Sequence, residues 1–96
     1  MNQKILISAI TNKKMVSFMY GGKSRVGEPH IVGESKEKPQ LLFWQTEGSS
    51  NSRNPSNWRR FEIEDITYLE ILSETFPGSR EKGKGAPFDK IFAVVD

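Results

Sequence analysis

The chain has 96 residues, with no cysteine, one histidine and a net charge of +2 from 14 Lys and Arg against 12 Asp and Glu. That length holds one domain around one small core. The composition excludes a disulfide framework, thiolate zinc and iron–sulfur sites, a cysteine nucleophile and metal sites built on several imidazoles, and no apolar run approaches the ~18 to 20 residues of a membrane span.

Taken in chain order, Asn2 suits an N-cap. Ile5, Leu6, Ala9 and Ile10 repeat at helical spacing, and Lys13 and Lys14 suit the helix's negative end. These signals predict a helix over residues 2–12. Val16, Phe18 and Tyr20 then alternate with Met15, Ser17 and Met19 up to Gly21-Gly22, the mark of a tight hairpin. The returning strand covers about 23–34, with Pro29 at an edge or a bulge. A third strand, 40–47, centres on Leu41-Leu42-Phe43-Trp44, and residues 48–57 are a polar loop. Residues 58–66 alternate again, with Phe61 and Ile63 facing one way and Arg60, Glu62 and Glu64 the other. A fifth strand follows over 68–72. Residues 77–90, rich in Gly, Pro and Lys, read as a mobile loop. The terminal run Ile91-Phe92-Ala93-Val94-Val95 reads as a strand that closes the sheet or pairs with another subunit. Short strands at this density predict a mainly β domain with one N-terminal helix, arranged as a small antiparallel barrel over 15–76. The whole of 1–96 reads as a single domain.

Charge divides along the chain: residues 1–60 hold ten Lys and Arg against four acids, and residues 61–96 hold four against eight. Arg53, Arg59 and Arg60 flank Trp44 and Trp58 in a strand–loop–strand unit. Cations beside aromatic rings suit single-stranded nucleic acid, whose phosphates meet arginine and whose bases stack. His30, beside Pro29, is a candidate phosphate contact or pH-sensitive donor. Residues 78–85 nearly spell a phosphate-binding loop, but Gly85 stands where Ser or Thr should bind magnesium, and Ala86-Pro87 follows where a helix should start. This stretch reads as a solvated loop. Glu62, Glu64, Asp65, Glu70 and Glu74 have no visible catalytic partner and read as a solvated face. No Ser–His–Asp order emerges, so the expectation is a binding domain, not an enzyme, with no cofactor and no metal.

One ordered set of residues resembles the WYL domain family. It comprises Ile5 with Ala9-Ile10, Val16-Ser17-Phe18-Met19-Tyr20, Arg25-Val26-Gly27-Glu28-Pro29, Leu41-Leu42-Phe43-Trp44, and Arg60-Phe61-Glu62-Ile63-Glu64-Asp65-Ile66 with Leu69. The family's naming triplet would fall on Pro39-Gln40-Leu41, and its usual Arg-Ile reads Asp65-Ile66. The resemblance implies an SH3-like or Sm-like barrel, found in bacterial transcription regulators and in CRISPR and phage-defence proteins. Independently of it, the short apolar stretch Ile5-Leu6-Ile7 is followed at once by polar residues with no cleavage-type segment, so the expectation is a soluble cytoplasmic protein without a signal peptide. The resemblance further implies a ligand-sensing domain for single-stranded nucleic acid or a nucleotide-like ligand, with Arg25 and one of Arg59 or Arg60 contacting the ligand. The alternative is a protein-interaction module whose terminal strand joins a partner's sheet. Self-association through that strand, giving a homo-oligomer, is expected in either case, and no membrane is involved.

Overall fold

Apolar residues at three- and four-residue spacing line one face of a helix. Helix α1, Asn2–Thr11, accordingly buries Leu6, Ala9 and Ile10. The structure, a computed structural model, describes residues 2–48, 57–80 and 88–96. Asn2 uses its side-chain amide to donate to the Ile66 carbonyl at 2.8 Å, which ties the helix start to a distant corner of the chain. Lys13 ends the helix with a left-handed φ of 52°, and its carbonyl accepts from the Phe76 amide at 3.0 Å.

Strand β1, Lys14–Tyr20, alternates as expected and buries Val16 and Phe18. Gly21 and Gly22, at φ 60° and 76°, make the two-residue turn, and β2, Lys23–Ser35, returns with Lys23 opposite Tyr20. A second such turn, at Lys36 and Glu37 with φ 52° and 66°, leads into β3, Lys38–Gly48. β2 is long because two strands share one of its edges: β1 pairs with residues 23–27, and β6, Lys90–Val94, pairs with residues 31–34. Pro29, with no N–H to donate, falls in the gap between them. On the β3 side the register slips between the Pro29–Phe43 and Ile31–Leu42 pairs, so His30 is the extra residue of a bulge.

The expected strand over 58–66 is shorter. β4 is Trp58–Glu62, a 3-10 turn spans Ile63–Asp65, and β5 is Thr67–Thr75. Ile63 and Ile66 are both buried, and the Ile66 amide donates to the Ile63 carbonyl at 3.1 Å. A three-residue spacing fits the 3-10 period, which brings both side chains to the same side. This corner also shapes the sheet. The strand order is β4-β3-β2-β1-β5, so β4 and β5 are consecutive in sequence yet lie at opposite ends. Flat, they would be four spacings or ~19 Å apart, whereas the link from Glu62 to Thr67 spans only about 12 Å. The sheet must therefore curl. Phe61 of β4 meets Phe18 and Tyr20 of β1 across the inside, with ring centroids 5.2 and 4.6 Å apart. Among the described residues no β4–β5 ladder closes the sheet. The result is a curled antiparallel sheet with α1 packed against the core of Phe18, Phe43, Phe61, Leu41, Val32 and Val16.

The terminal run is a strand paired within the chain, as β6 on β2. Val95 is buried and Ala93 packs on the core, while Ile91, Phe92 and Val94 are exposed. Among the described residues no helix is long and apolar enough to cross a membrane.

Candidate ligand-binding faces

Side chains alternate across β2, β3 and β4, so the register decides which candidate residues can act together. Arg25 lies opposite Phe18, and Arg59 opposite Phe43, which puts both arginines on the inner face at the end where apolar packing stops. The Arg25 guanidinium sits over the Phe61 ring, 5.3 Å from its centroid, and Nη1 donates to Gln45 Oε1 at 3.2 Å. Among the described residues its buried Nε has no hydrogen-bond partner and no carboxylate pairs with it. Burial, followed by the like charge of Arg59, pulls the Arg25 pKa below its ordinary value, and Tyr20 opposes the shift. A guanidinium stays charged regardless, so the lowered value marks a cation held where an anion would relieve it.

Trp58 and Arg60 face the other way. Trp58 pairs with Trp44, the rings edge to face at 5.1 Å, and Trp44 lies opposite Glu28 on β2. Glu28 is almost fully buried yet ionic. Arg80 donates to both its oxygens at 2.9 Å, and His30 Nε2 lies 3.1 Å from Oε1. Burial raises the Glu28 pKa, but hydrogen bonds from Arg80 and then His30 outweigh it and leave the carboxyl below its ordinary value. Burial lowers the His30 pKa despite Glu28. The ring is therefore neutral at pH 7, and its Nε2–H donates to Glu28. His30 also meets Trp58 and Phe76 at 4.9 and 5.4 Å, and Arg80 covers Trp44 at 4.2 Å.

Further along this face, Arg60 Nε donates to Gln40 Oε1 at 2.6 Å, and its guanidinium lies 3.9 Å from the Phe88 ring centroid. Phe88 rests on Gly33, where a Cβ would come within 2.6 Å of the ring. Burial lowers the Arg60 pKa, and Asp89 opposes the shift. Tyr20, Gln40, Arg60, Glu62, Phe88 and Asp89 line an open groove of about 710 Å³ here.

The candidate residues thus form separate groups. Arg25 and Arg59 come together at the inner mouth, where Gln45, which the sequence did not single out, accepts from Arg25. Trp44, Trp58 and His30 come together on the outer face around Glu28 and Arg80, with Arg60 beyond them. Arg53 lies outside the described residues. His30 is packed between aromatic rings and hydrogen-bonded to Glu28, so its visible work is internal. The pairing with Glu28 was legible, since residues two apart on a strand share a face. Arg80 was not, because 52 residues separate it from Glu28. Of the segment 77–90, residues 81–87, and with them most of the phosphate-loop-like stretch, lie outside the described residues. Its described ends are packed, through Arg80 on Glu28 and Phe88 on Gly33 and Arg60.

No protein-family model matches the chain, and neither do any curated protein or solved structure.

Proposed function

We propose that this domain binds single-stranded nucleic acid or an oligonucleotide, without chemistry, and that Arg25 and Arg59 form its phosphate-binding point. The observation that carries the reading is the placement of Arg25: a partly desolvated cation beside a second arginine, with a buried Nε lacking an acceptor and no carboxylate partner among the described residues. A phosphodiester supplies both the charge and the acceptor atoms, in the geometry a guanidinium fork prefers. The reading includes a WYL-like, ligand-sensing role in a bacterial regulatory or phage-defence setting on an SH3-like or Sm-like barrel. The N-terminal helix, the curled five-strand path and Arg25 four residues before Pro29 support it.

Fluorescence anisotropy with labelled single-stranded DNA and RNA at two salt concentrations tests it. Arg25→Ala is expected to weaken binding for every base composition and to lower the slope of log K against log salt by roughly 0.7, the value for one lost phosphate contact on a single strand. Arg25→Glu is expected to weaken it further, and Lys4→Ala, on the far helix, to leave it unchanged. Salt-independent or absent binding by the wild type refutes the reading.

A protein-interaction module is the second reading, favoured by β6. That strand pairs only with β2 among the described residues, and Ile91, Phe92 and Val94 are 54, 45 and 50 % exposed. An apolar edge of this kind is a template for a further strand.

A further inference from the structure

The groove beside β4 adjoins the phosphate point through a shared ring: Phe61, which lies under Arg25, also lines the groove. We propose that the groove is a nucleobase subsite that favours bases carrying an exocyclic amino group, as cytosine does, over thymine and uracil. This inference rests on the phosphate reading of Arg25 and Arg59, and it assigns the base that adjoins that phosphate.

Three features carry it. The volume, about 710 Å³, lies within the ~300 to 1,000 Å³ usual for small-molecule sites, and Tyr20 and Phe88 supply ring surface along the wall. Two carboxylates, Glu62 and Asp89, line the groove together with two cations, Arg60 and Lys36. The lining charges balance, so the groove offers a phosphate no net attraction, which leaves the phosphate to Arg25 and Arg59 and the groove to an uncharged group. Ionised carboxylates are also acceptors only. Asp89 Oδ2 accepts from the Lys36 backbone amide at 2.8 Å, which fixes the carboxylate, and no donor among the described residues reaches its other oxygen. Among the described residues the Glu62 carboxylate meets only Lys38, in a loose ion pair of its Oε2 at 3.9 Å. A cytosine N4 amino group, an adenine N6 amino group, or a guanine N2 amino group with its N1–H donates to such an oxygen. Thymine and uracil present carbonyls on either side of a single N–H, and a carbonyl facing a carboxylate is repelled.

The test compares short dC and dT homopolymers, two pyrimidines of similar size, by fluorescence anisotropy at fixed salt. The wild type is expected to bind dC about tenfold more tightly, the worth of one hydrogen bond to a charged group. The isosteric double variant Glu62→Gln, Asp89→Asn, checked for an unchanged thermal midpoint, is expected to bring the dC/dT ratio close to one while leaving the salt slope as it was. Arg25→Ala should do the reverse, lowering the slope and keeping the ratio. Equal dC and dT affinity in the wild type overturns the base subsite, as does a ratio that survives in the double variant. Loss of salt-dependent binding altogether is a different failure, since it removes the phosphate point first.

Discussion

Glu28 shows what a single residue can commit a fold to. Its buried carboxylate is tolerable only because Arg80 and His30 satisfy it. Removing the charge by Glu28→Gln leaves Arg80 without its bidentate partner. The expected cost is about 1 to 3 kcal/mol. This is less than for a wholly buried pair, because the Arg80 side chain is 43 % exposed and can rehydrate. The pH dependence has a definite sign. His30 has a folded pKa below its ordinary value, so the unfolded chain takes up a proton first and stability begins to fall below about pH 6.5. Glu28 is also lowered, so its contribution is full above the ordinary carboxylate range and is lost as pH falls through its folded pKa. Thermal midpoints measured from neutral to acid pH should fall in both ranges. His30→Gln should flatten the first and Glu28→Gln the second. A midpoint constant between pH 7 and the carboxylate range would show that His30 is not held neutral by burial.

At the scale of elements, two turns of the same geometry differ in composition. Gly21-Gly22 meets the positive φ values without strain, and the sequence announced it. Lys36-Glu37 meets them with side chains, at a cost on the order of 1 kcal/mol per residue. Glu37→Gly is therefore expected to stabilise the domain by about 0.5 kcal/mol, the relief of strain less the extra unfolded-state entropy of glycine. Urea unfolding at unchanged m-value measures it, and a destabilised variant would show that Glu37 makes up its strain elsewhere. The 3-10 corner was open to a different misreading. Phe61 and Ile63, two apart, fit a strand, while Ile63 and Ile66, three apart, fit the turn. Alternation dominates a short window, and only the need to cross from one end of the sheet to the other selects the turn.

For the whole molecule, β4, β5 and β6 each pair with a single strand among the described residues, and the chain treats β5 and β6 differently. β5 exposes Tyr68 and Ile71 but sets Glu70 and Glu74 among them, which discourage a second strand from adding. β6 exposes Ile91, Phe92 and Val94. Deleting the terminus would not isolate this edge, because Val95 is in the core. Phe92→Lys with Val94→Lys keeps the core intact and charges the exposed residues. If β6 mediates self-association, light scattering should give a wild-type mass that rises with concentration above that of one chain, and the double variant should remain at one chain. A wild type that stays monomeric at high concentration removes this interface.

What the sequence determined by itself is local. Helical spacing in Leu6, Ala9 and Ile10, alternation through Val16 and Phe18, and the Gly21-Gly22 turn each depend on neighbours within a few residues, and each is found where expected. It also gave the inner placement of Arg59 and the outward placement of Arg60, since period-two alternation from Phe61 fixes both. The tertiary structure alone decided which residues meet. The His30 bulge, the shared edge of β2 and the curl forced by the 3-10 corner set the registers that bring Arg25 to Arg59, part both from Trp44 and Trp58, and deliver Arg80 to Glu28. Those contacts join residues tens of positions apart. Their geometry follows from how strands pair and how far a short link can reach, and no local pattern encodes it.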